Sequence, residues 1–128
     1  MANYVGAYLI RGGDIHFHAL LLQLEKEGVT RTGSPDLYAR SYRKFGVDES
    51  HDIVSRARTR PVDLKHRVFV MHIPGITTEA QNALLKTIEE PAANALFFIV
   101  TPSPEMLLAT VRSRVQPMEL NLKKIASS

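Results

Sequence analysis

The sequence has no cysteine and no long apolar run. Without cysteine there is no disulfide framework, no thiolate zinc site and no cysteine nucleophile, which suits a reducing compartment. No apolar run approaches the roughly 20 residues that a membrane-spanning helix needs. The start, residues 1–4, also lacks a basic stretch followed by an apolar one. We therefore expect a cytoplasmic protein with no membrane partner.

The net charge of the chain is also small. The 16 Lys and Arg residues exceed the 13 Asp and Glu residues by a net charge of only +3. Such an excess is compatible with a nucleic-acid-associated assembly but is far from a phosphate-binding footprint. A chain of 128 residues with 45% hydrophobic content is the size of one ordinary domain. The composition therefore predicts a single globular domain.

Short apolar runs alternate with helical patterns along the chain. The pattern predicts strands over residues 4–10, 36–42, 67–73, 96–101 and 116–122, and helices that begin near Asp14, Asp48, Thr78 and Ser103. Strands that alternate with helices favour a parallel sheet covered by helices on both faces. The predicted fold class is α/β, a three-layer α/β/α sandwich with a mainly parallel sheet.

Two helices have more specific signals. In the first, Asp14 is the predicted N-cap, and Ile15, Ala19 and Leu22 fall on one face. In the third, Thr78 with a glutamine three residues later matches a capping box. Serine and proline at 103–104 predict one continuous final helix.

The turn after the first strand lacks a phosphate-binding loop. Such a loop needs Gly-x-x-x-x-Gly-Lys-Ser/Thr, because backbone amides cradle the phosphates, the lysine neutralises charge and the hydroxyl holds magnesium. Residues 11–16 read Arg-Gly-Gly-Asp-Ile-His, which is too short and has no lysine. The sequence therefore predicts no bound nucleotide cofactor.

Paired histidines and carboxylates give no metal or catalytic site. His16 and His18 are two positions apart on a predicted helix, so their side chains point in different directions. The same holds for the neighbours Glu89 and Glu90, which we interpret as solvated helix-end residues. We predict no metal site and no catalytic residue acting in this chain's own site.

Two stretches carry a resemblance to a known family. Residues 78–91 read TEAQNALLKTIEEP, and residues 107–115 read LLATVRSRV. Both are similar to segments of the clamp-loader subunits of bacterial DNA polymerase III, in the same order, and the similarity covers residues 64–117. The resemblance implies a RecA-like P-loop fold, the AAA+ core. It also implies a core domain over residues 1–122 and a C-terminal tail over 123–128, without the lid and collar domains of the relatives.

The resemblance also implies a lost activity. Active relatives end the second strand of the nucleotide site in adjacent acidic residues, and the matching positions here are Met71 and His72. Neither side chain supplies the hard oxygen ligand that magnesium prefers. With the missing phosphate loop, this implies a non-hydrolysing subunit similar to the delta-prime type, not an ATPase.

Ser113 and Arg114 match the family's interface motif. The resemblance implies that both lie at a subunit interface and that Arg114 is a finger that reaches a neighbour's active site in trans. The motif departs from the family at Ala109, which replaces proline, and at Val115, which replaces cysteine. From the residues alone, the spacing favours an arginine that satisfies the carbonyls at a helix end. Both interpretations stay open.

The remaining expectations concern partners. The resemblance implies association with other clamp-loader subunits, and through the assembly with the sliding clamp and primer-template DNA, toward which Asn82 and Lys86 would face. One alternative is a nucleotide enzyme that binds phosphate at Gly12 and Gly13, at a helix N-terminus. Another is a stand-alone, degenerate AAA+ regulatory domain.

Overall fold

The computed structural model describes residues 3–90 and 94–127. Strands and helices alternate as the sequence predicts. The strands are β1 (Gly6–Arg11), β2 (Leu37–Ser41), β3 (Arg67–His72), β4 (Ala95–Thr101) and β5 (Gln116–Pro117). The helices are α1 (Asp14–Lys26), α2 (Val47–Ala57), α3 (Thr78–Glu89), α4 (Ala109–Arg112) and α5 (Leu122–Ser127), with a 3₁₀ turn at Pro104–Met106.

The five strands form one parallel sheet. Their order is β2-β3-β4-β1-β5, and every described pairing is parallel. The chain crosses from β1 to the far edge at β2 and steps back to β4, and β5 lies on the other side of β1. The α/β fold class, the RecA-like parallel sheet and its three layers are confirmed.

Alternate side chains of the central strands enter two separate cores. Phe69 and Met71 of β3 pack with α2 and α3, whereas Val68 and Val70 pack on the opposite face with α1. All four are at most 1% exposed. Burying a side chain of this size stabilises a fold by about 1.5–3 kcal/mol. The sheet is therefore the middle layer, with one apolar core on each of its faces.

The buried face of α1 differs from the predicted one. Ile15 is 71% exposed and Leu22 is 42% exposed, so the predicted face of these two residues and Ala19 is wrong. The helix instead buries Phe17, Leu20 and Leu24. This face carries an aromatic ring and two leucines and buries more apolar surface than the predicted one.

The helices also begin earlier than predicted. The N-caps are Gly13, Gly46 and Thr77, in place of Asp14, Asp48 and Thr78. At α3 the Thr77 hydroxyl oxygen accepts a hydrogen bond of 3.1 Å from the Ala80 amide. The two aspartates fall in the first helical turn, where a carboxylate is favoured by the helix dipole.

The predicted final helix is divided. The 3₁₀ turn is followed by two extended residues, Leu107 and Leu108, before α4 begins. The cause is a contact with α3: the Gln81 side chain accepts a 2.6 Å hydrogen bond from the Leu108 amide and donates one of 3.3 Å to the Met106 carbonyl. Gln81 is 3% exposed. It therefore joins α3 to the segment that leads into α4.

The predicted strand over residues 116–122 is mostly wrong. Only two residues pair with β1, because Pro117 has no amide hydrogen and confines the strand to the sheet edge. The Met118 amide still donates to the Leu9 carbonyl at 2.9 Å. The segment expected as a loose tail contains most of α5, where Ile125 is buried and its carbonyl accepts a 3.3 Å hydrogen bond from Lys26.

A buried carboxylate ties the loop before β3 to the start of β2. The Asp36 side chain is 0% exposed and accepts hydrogen bonds of 2.6–3.1 Å from the amides of Val62, Asp63 and Leu64. The Arg67 guanidinium lies 3.8 Å from it. Burial raises the pKa of the Asp36 carboxyl, but these amides and Arg67 outweigh burial and hold the pKa below its ordinary value.

We predict that Asp36→Ala lowers the free energy of unfolding by roughly 3 kcal/mol, because three amides lose their acceptor. Asp63→Ala, in the same loop, removes contacts of a more exposed carboxylate with Arg31 and Ser34 and should cost about 1 kcal/mol or less. Urea denaturation of both variants measures the difference. Equal losses would contradict the role of Asp36.

The same carboxylate gives a pH dependence of defined sign. Because the folded pKa is lowered, the stabilisation by Asp36 should be complete above the unfolded pKa of about 3.9. It should be lost as the pH falls through the folded pKa. The difference in unfolding free energy between wild type and Asp36→Ala should therefore shrink only in acid.

Candidate functional site

The turn after β1 occupies the position at which a P-loop protein binds phosphate. The Gly12 amide donates to the Thr101 carbonyl at 2.9 Å and continues the pairing with β4. The next amide, of Gly13, donates to Nδ1 of His16 at 3.1 Å. The imidazole lies so close that a Cβ atom on Gly12 would be 2.1 Å from Cγ of His16. The turn is therefore closed by a side chain of its own helix.

The surroundings of this turn are poorly suited to an anion. Asp14 is exposed and directly follows Gly13 at the first position of α1. An open groove of about 400 Å³ adjoins His16 and is also lined by Arg11 and Glu119. The Arg11 guanidinium is paired with Glu105 at 3.3 Å. A phosphate here would have to displace the imidazole and approach carboxylates.

The end of β3 has no acidic side chain. Met71 is 1% exposed and packs in the core with α2 and α3. The Nδ1 atom of His72 lies 2.8 Å from the Ser41 hydroxyl, and its ring is 6.2 Å from the Phe17 ring. The partners of both side chains are uncharged: apolar residues around Met71, and Ser41 and Phe17 beside His72. The positions expected to hold magnesium in active relatives therefore contain a thioether and an imidazole.

The histidines and the carboxylate pair lie in separate environments. His16 bonds to the turn, whereas Nε2 of His18 lies 3.5 Å from the Asp14 carboxylate. Among residues 3–90 and 94–127, no three histidine, aspartate or glutamate side chains gather as they would around a metal ion. Glu89 contacts Arg114, and Glu90 is exposed just beyond α3.

Arg114 connects α4 to α3. Its Nη1 atom donates to the Thr110 carbonyl at 3.1 Å and to the Ser113 hydroxyl at 2.8 Å. Its Nη2 atom donates to Oε1 of Glu89 at 3.0 Å, and the side chain is 36% exposed. The helix-end interpretation of Arg114 is confirmed by the bond to Thr110. The arginine-finger interpretation stays a prediction.

The two residues expected to face DNA lie together on the surface. Asn82 and Lys86 are both exposed and are one helical turn apart on α3. Gln81, next to Asn82, points the other way and holds the segment that leads into α4. Sequence reasoning missed this role because Gln81 also fitted a capping box. A polar residue among Ala80, Leu84 and Ile88 on a buried helix face was the available signal.

Comparison with protein-family models identifies the family of this chain. The family described as DNA polymerase III, delta subunit, matches residues 17–124. The chain belongs to this family. The resemblance inferred from residues 78–91 and 107–115 is thereby confirmed. The match also includes most of the first third of the chain, where sequence reasoning found only the order of strand, turn and helix.

Named relatives come from several bacteria. The chain is 42% identical over 72 residues to the gamma/tau subunit of DNA polymerase III of Mycobacterium tuberculosis H37Rv, which is 54% of this chain and 12% of that protein. It is 39% identical over 85 residues to the delta-prime subunit of Escherichia coli K12, which is 62% of this chain and 25% of that protein. The chain thus spans a quarter or less of these relatives.

A solved structure shows the same fold. The DNA polymerase III gamma-subunit-related protein of Thermotoga maritima aligns over 90% of this chain and 40% of its own, with a TM-score of 0.76 and 24% sequence identity. At that identity the likeness concerns the fold. No helix in the described part of the chain is long and apolar enough to cross a membrane.

The closed turn after β1 leads to a testable prediction for Gly12. We expect Gly12→Ala to lower the free energy of unfolding by about 1–3 kcal/mol, because the added methyl group collides with His16. Gly13→Ala is the matched control. Its Cβ would meet no atom within 4 Å, so its cost should stay below about 1 kcal/mol.

A double variant separates the collision from other effects. If the imidazole is the obstacle, His16→Ala should relieve part of the cost of Gly12→Ala, and the two losses should not add. Thermal or urea denaturation gives the four free energies that are needed. Additive losses would show that His16 does not close the turn.

Proposed function

We propose that this chain is the core domain of a non-hydrolysing, delta-prime-like subunit of the DNA polymerase III sliding-clamp loader, which acts in DNA replication in the cytoplasm. The observation that carries the proposal is that His16 closes the turn after β1, where a P-loop protein would bind phosphate. Its partners would be other loader subunits and, through the assembly, the sliding clamp and primer-template DNA. Family membership and the delta-prime and gamma/tau relatives support this assignment.

Loss of hydrolysis follows from the chemistry of phosphoryl transfer. Catalysis of that reaction depends on positioning the phosphates and on stabilising charge with a lysine and magnesium. This chain has no lysine in the turn, and His72 and buried Met71 replace the magnesium ligands. The bond between Gly13 and His16 also counts against the alternative in which that amide binds phosphate. A contribution in trans is the role that this arrangement favours.

Arg114 is the residue that we assign to a neighbouring active site. An arginine supplied to a phosphoryl-transfer site from another chain raises the rate by on the order of 10³ to 10⁵. Arg114 is partly exposed, and its contacts fix it on the surface formed by α3 and α4. Ser113, which accepts one of its hydrogen bonds, would belong to the same interface.

The first test is addition of ATP and magnesium to the purified chain. We expect neither turnover nor tight binding by calorimetry, and a gamma/tau subunit serves as the positive control. Turnover by this chain would establish the nucleotide-enzyme alternative. Affinity purification from native extract addresses the other alternative: polymerase III subunits should co-purify, and their absence would favour the stand-alone regulatory domain.

The second test is Arg114→Ala in a reconstituted loader. ATP turnover at the site that this arginine completes should fall by on the order of 10³. Arg112→Ala, which removes an exposed cation at the end of α4, two residues before Arg114, should leave turnover unchanged. Unchanged turnover with Arg114→Ala would refute the finger.

Glu89→Gln separates catalysis from packing. This variant removes the ion pair between α3 and α4 but keeps the guanidinium. If Arg114 acts on a neighbour, turnover should survive Glu89→Gln and fail with Arg114→Ala. If Arg114 only joins the two helices, both variants should have the same small effect, because a half-exposed ion pair contributes about 1 kcal/mol or less.

A further inference from the structure

The outer edge of β2 has no neighbouring strand. β2 is the last strand on its side of the sheet, and no described strand lies beyond it. Residues 39–41 of this strand are all exposed. An exposed strand edge is a template on which another extended segment can form backbone hydrogen bonds. The backbone groups and side chains at this edge therefore determine what can bind there.

The direction of the backbone groups of β2 follows from its contacts with β3. The Asp36 carbonyl accepts a 2.8 Å hydrogen bond from an amide of β3, and the Tyr42 amide donates to a carbonyl of β3 at 2.9 Å. Successive residues of a strand turn their amide and carbonyl groups to opposite edges, so the residues with even numbers bond to β3. Ala39 and Ser41 therefore turn these groups outward, and neither amide donates to a described loop or turn.

One face of the sheet at this edge is cationic. The Cζ atom of Arg56 lies 4.2 Å from the centre of the Tyr38 ring, and that of Arg40 lies 5.5 Å from it. Arg40 also donates to the Tyr38 hydroxyl at 3.0 Å. Arg56 is paired with Asp52 at 3.0 Å, whereas Arg40 has no ion pair among the described residues. A positive charge without a carboxylate partner is thus fixed beside the edge.

The opposite face of β2 is apolar where it is not exposed backbone. Leu37 is half-buried and packs against the core beneath α1, and the small side chain of Ala39 follows it on the same face. A strand added beside β2 would therefore meet a cation on one face and apolar surface on the other. A segment in which acidic and apolar residues alternate matches both faces. A shift of one residue would exchange the two sets of side chains and lose both matches.

A second copy of this chain is a poor match for the edge. Antiparallel pairing of two β2 strands would place the Arg40 and Arg56 side chains of both copies on one face of the joined sheet. Like charges on neighbouring strands are destabilising. β2 has the sequence LYARS and contains no carboxylate that could offset them. The charge at this edge therefore favours an acidic partner over a second copy.

We propose that the outer edge of β2 binds an extended segment of a partner protein in which acidic and apolar residues alternate. The segment adds a strand to the sheet. Hydrogen bonds to the backbone of Ala39 and Ser41 provide affinity, and a carboxylate beside Arg40 provides selectivity. In the sheet order β2 lies at the opposite side of β4 from β1, so this edge is separate from the turn closed by His16.

The test adds a synthetic peptide of about eight residues, alternating glutamate and valine, to the full 128-residue chain. Hydrogen exchange measured by NMR reports on each backbone amide. The Ala39 and Ser41 amides should become protected as the peptide saturates, whereas the Arg40 amide, which faces β3, should not change. Two further peptides are N-methylated either at every glutamate or at every valine. Only one of them should bind, because a strand turns alternate amides to each edge.

Variants of the chain separate backbone pairing from charge. Ala39→Pro removes an outward amide at a position where an edge strand tolerates proline, so it should abolish binding while the chain still unfolds cooperatively in urea. Ala39→Ser keeps the amide and should bind as wild type does. Arg40→Ala should weaken binding by up to about fivefold, the effect of one opposite-charge pair across strands. Arg112→Ala removes an exposed cation elsewhere and should leave binding unchanged.

Other results would overturn the proposal. Unchanged exchange of the Ala39 and Ser41 amides at the highest peptide concentration would show that no strand is added. Equal binding of the two N-methylated peptides would contradict backbone pairing, and equal binding of an alternating lysine and valine peptide would contradict the role of Arg40. Sedimentation of the chain alone provides the last comparison: a dimer that Ala39→Pro dissociates would assign the edge to a second copy.

Discussion

β3 and β4 must be covered by apolar surface on both faces, and the other elements take their places from that requirement. All seven residues of β4 and four of the six of β3 are buried. A parallel strand of this kind is stable only between two layers. α1 covers one face, and α2 and α3 cover the other. The turns at the carboxyl edge are thereby fixed, including the one closed by His16.

The sequence predicted the layers because apolar runs of strand length signal two-sided burial wherever they occur. It failed where a choice depended on the neighbouring layer. Leu20, Leu21 and Leu22 are consecutive, so periodicity alone could not show which face of α1 meets the sheet. The break before α4 was equally hidden, because it depends on hydrogen bonds between Gln81 and residues 25 and 27 positions away.

The sequence predicted the candidate site mainly from the residues that are missing there. A missing lysine can be seen in the sequence, and so can methionine and histidine in place of an acidic pair. The sequence could not show that His16 fills the turn, because that depends on the orientation of the His16 ring over Gly12. Spacing placed Arg114 at a helix end, but its contact with Glu89 crosses 25 residues of chain.

The bond between Gly13 and His16 has a consequence for any ligand of the turn. The imidazole is a competitor attached to the same helix, so its effective concentration at the amide does not fall on dilution. For tethered groups this concentration is at least on the order of millimolar. A free anion that binds the amide no more strongly than the imidazole does must exceed that concentration to displace it. Occupancy of the turn is therefore insensitive to ordinary changes in the level of a weakly bound phosphate compound.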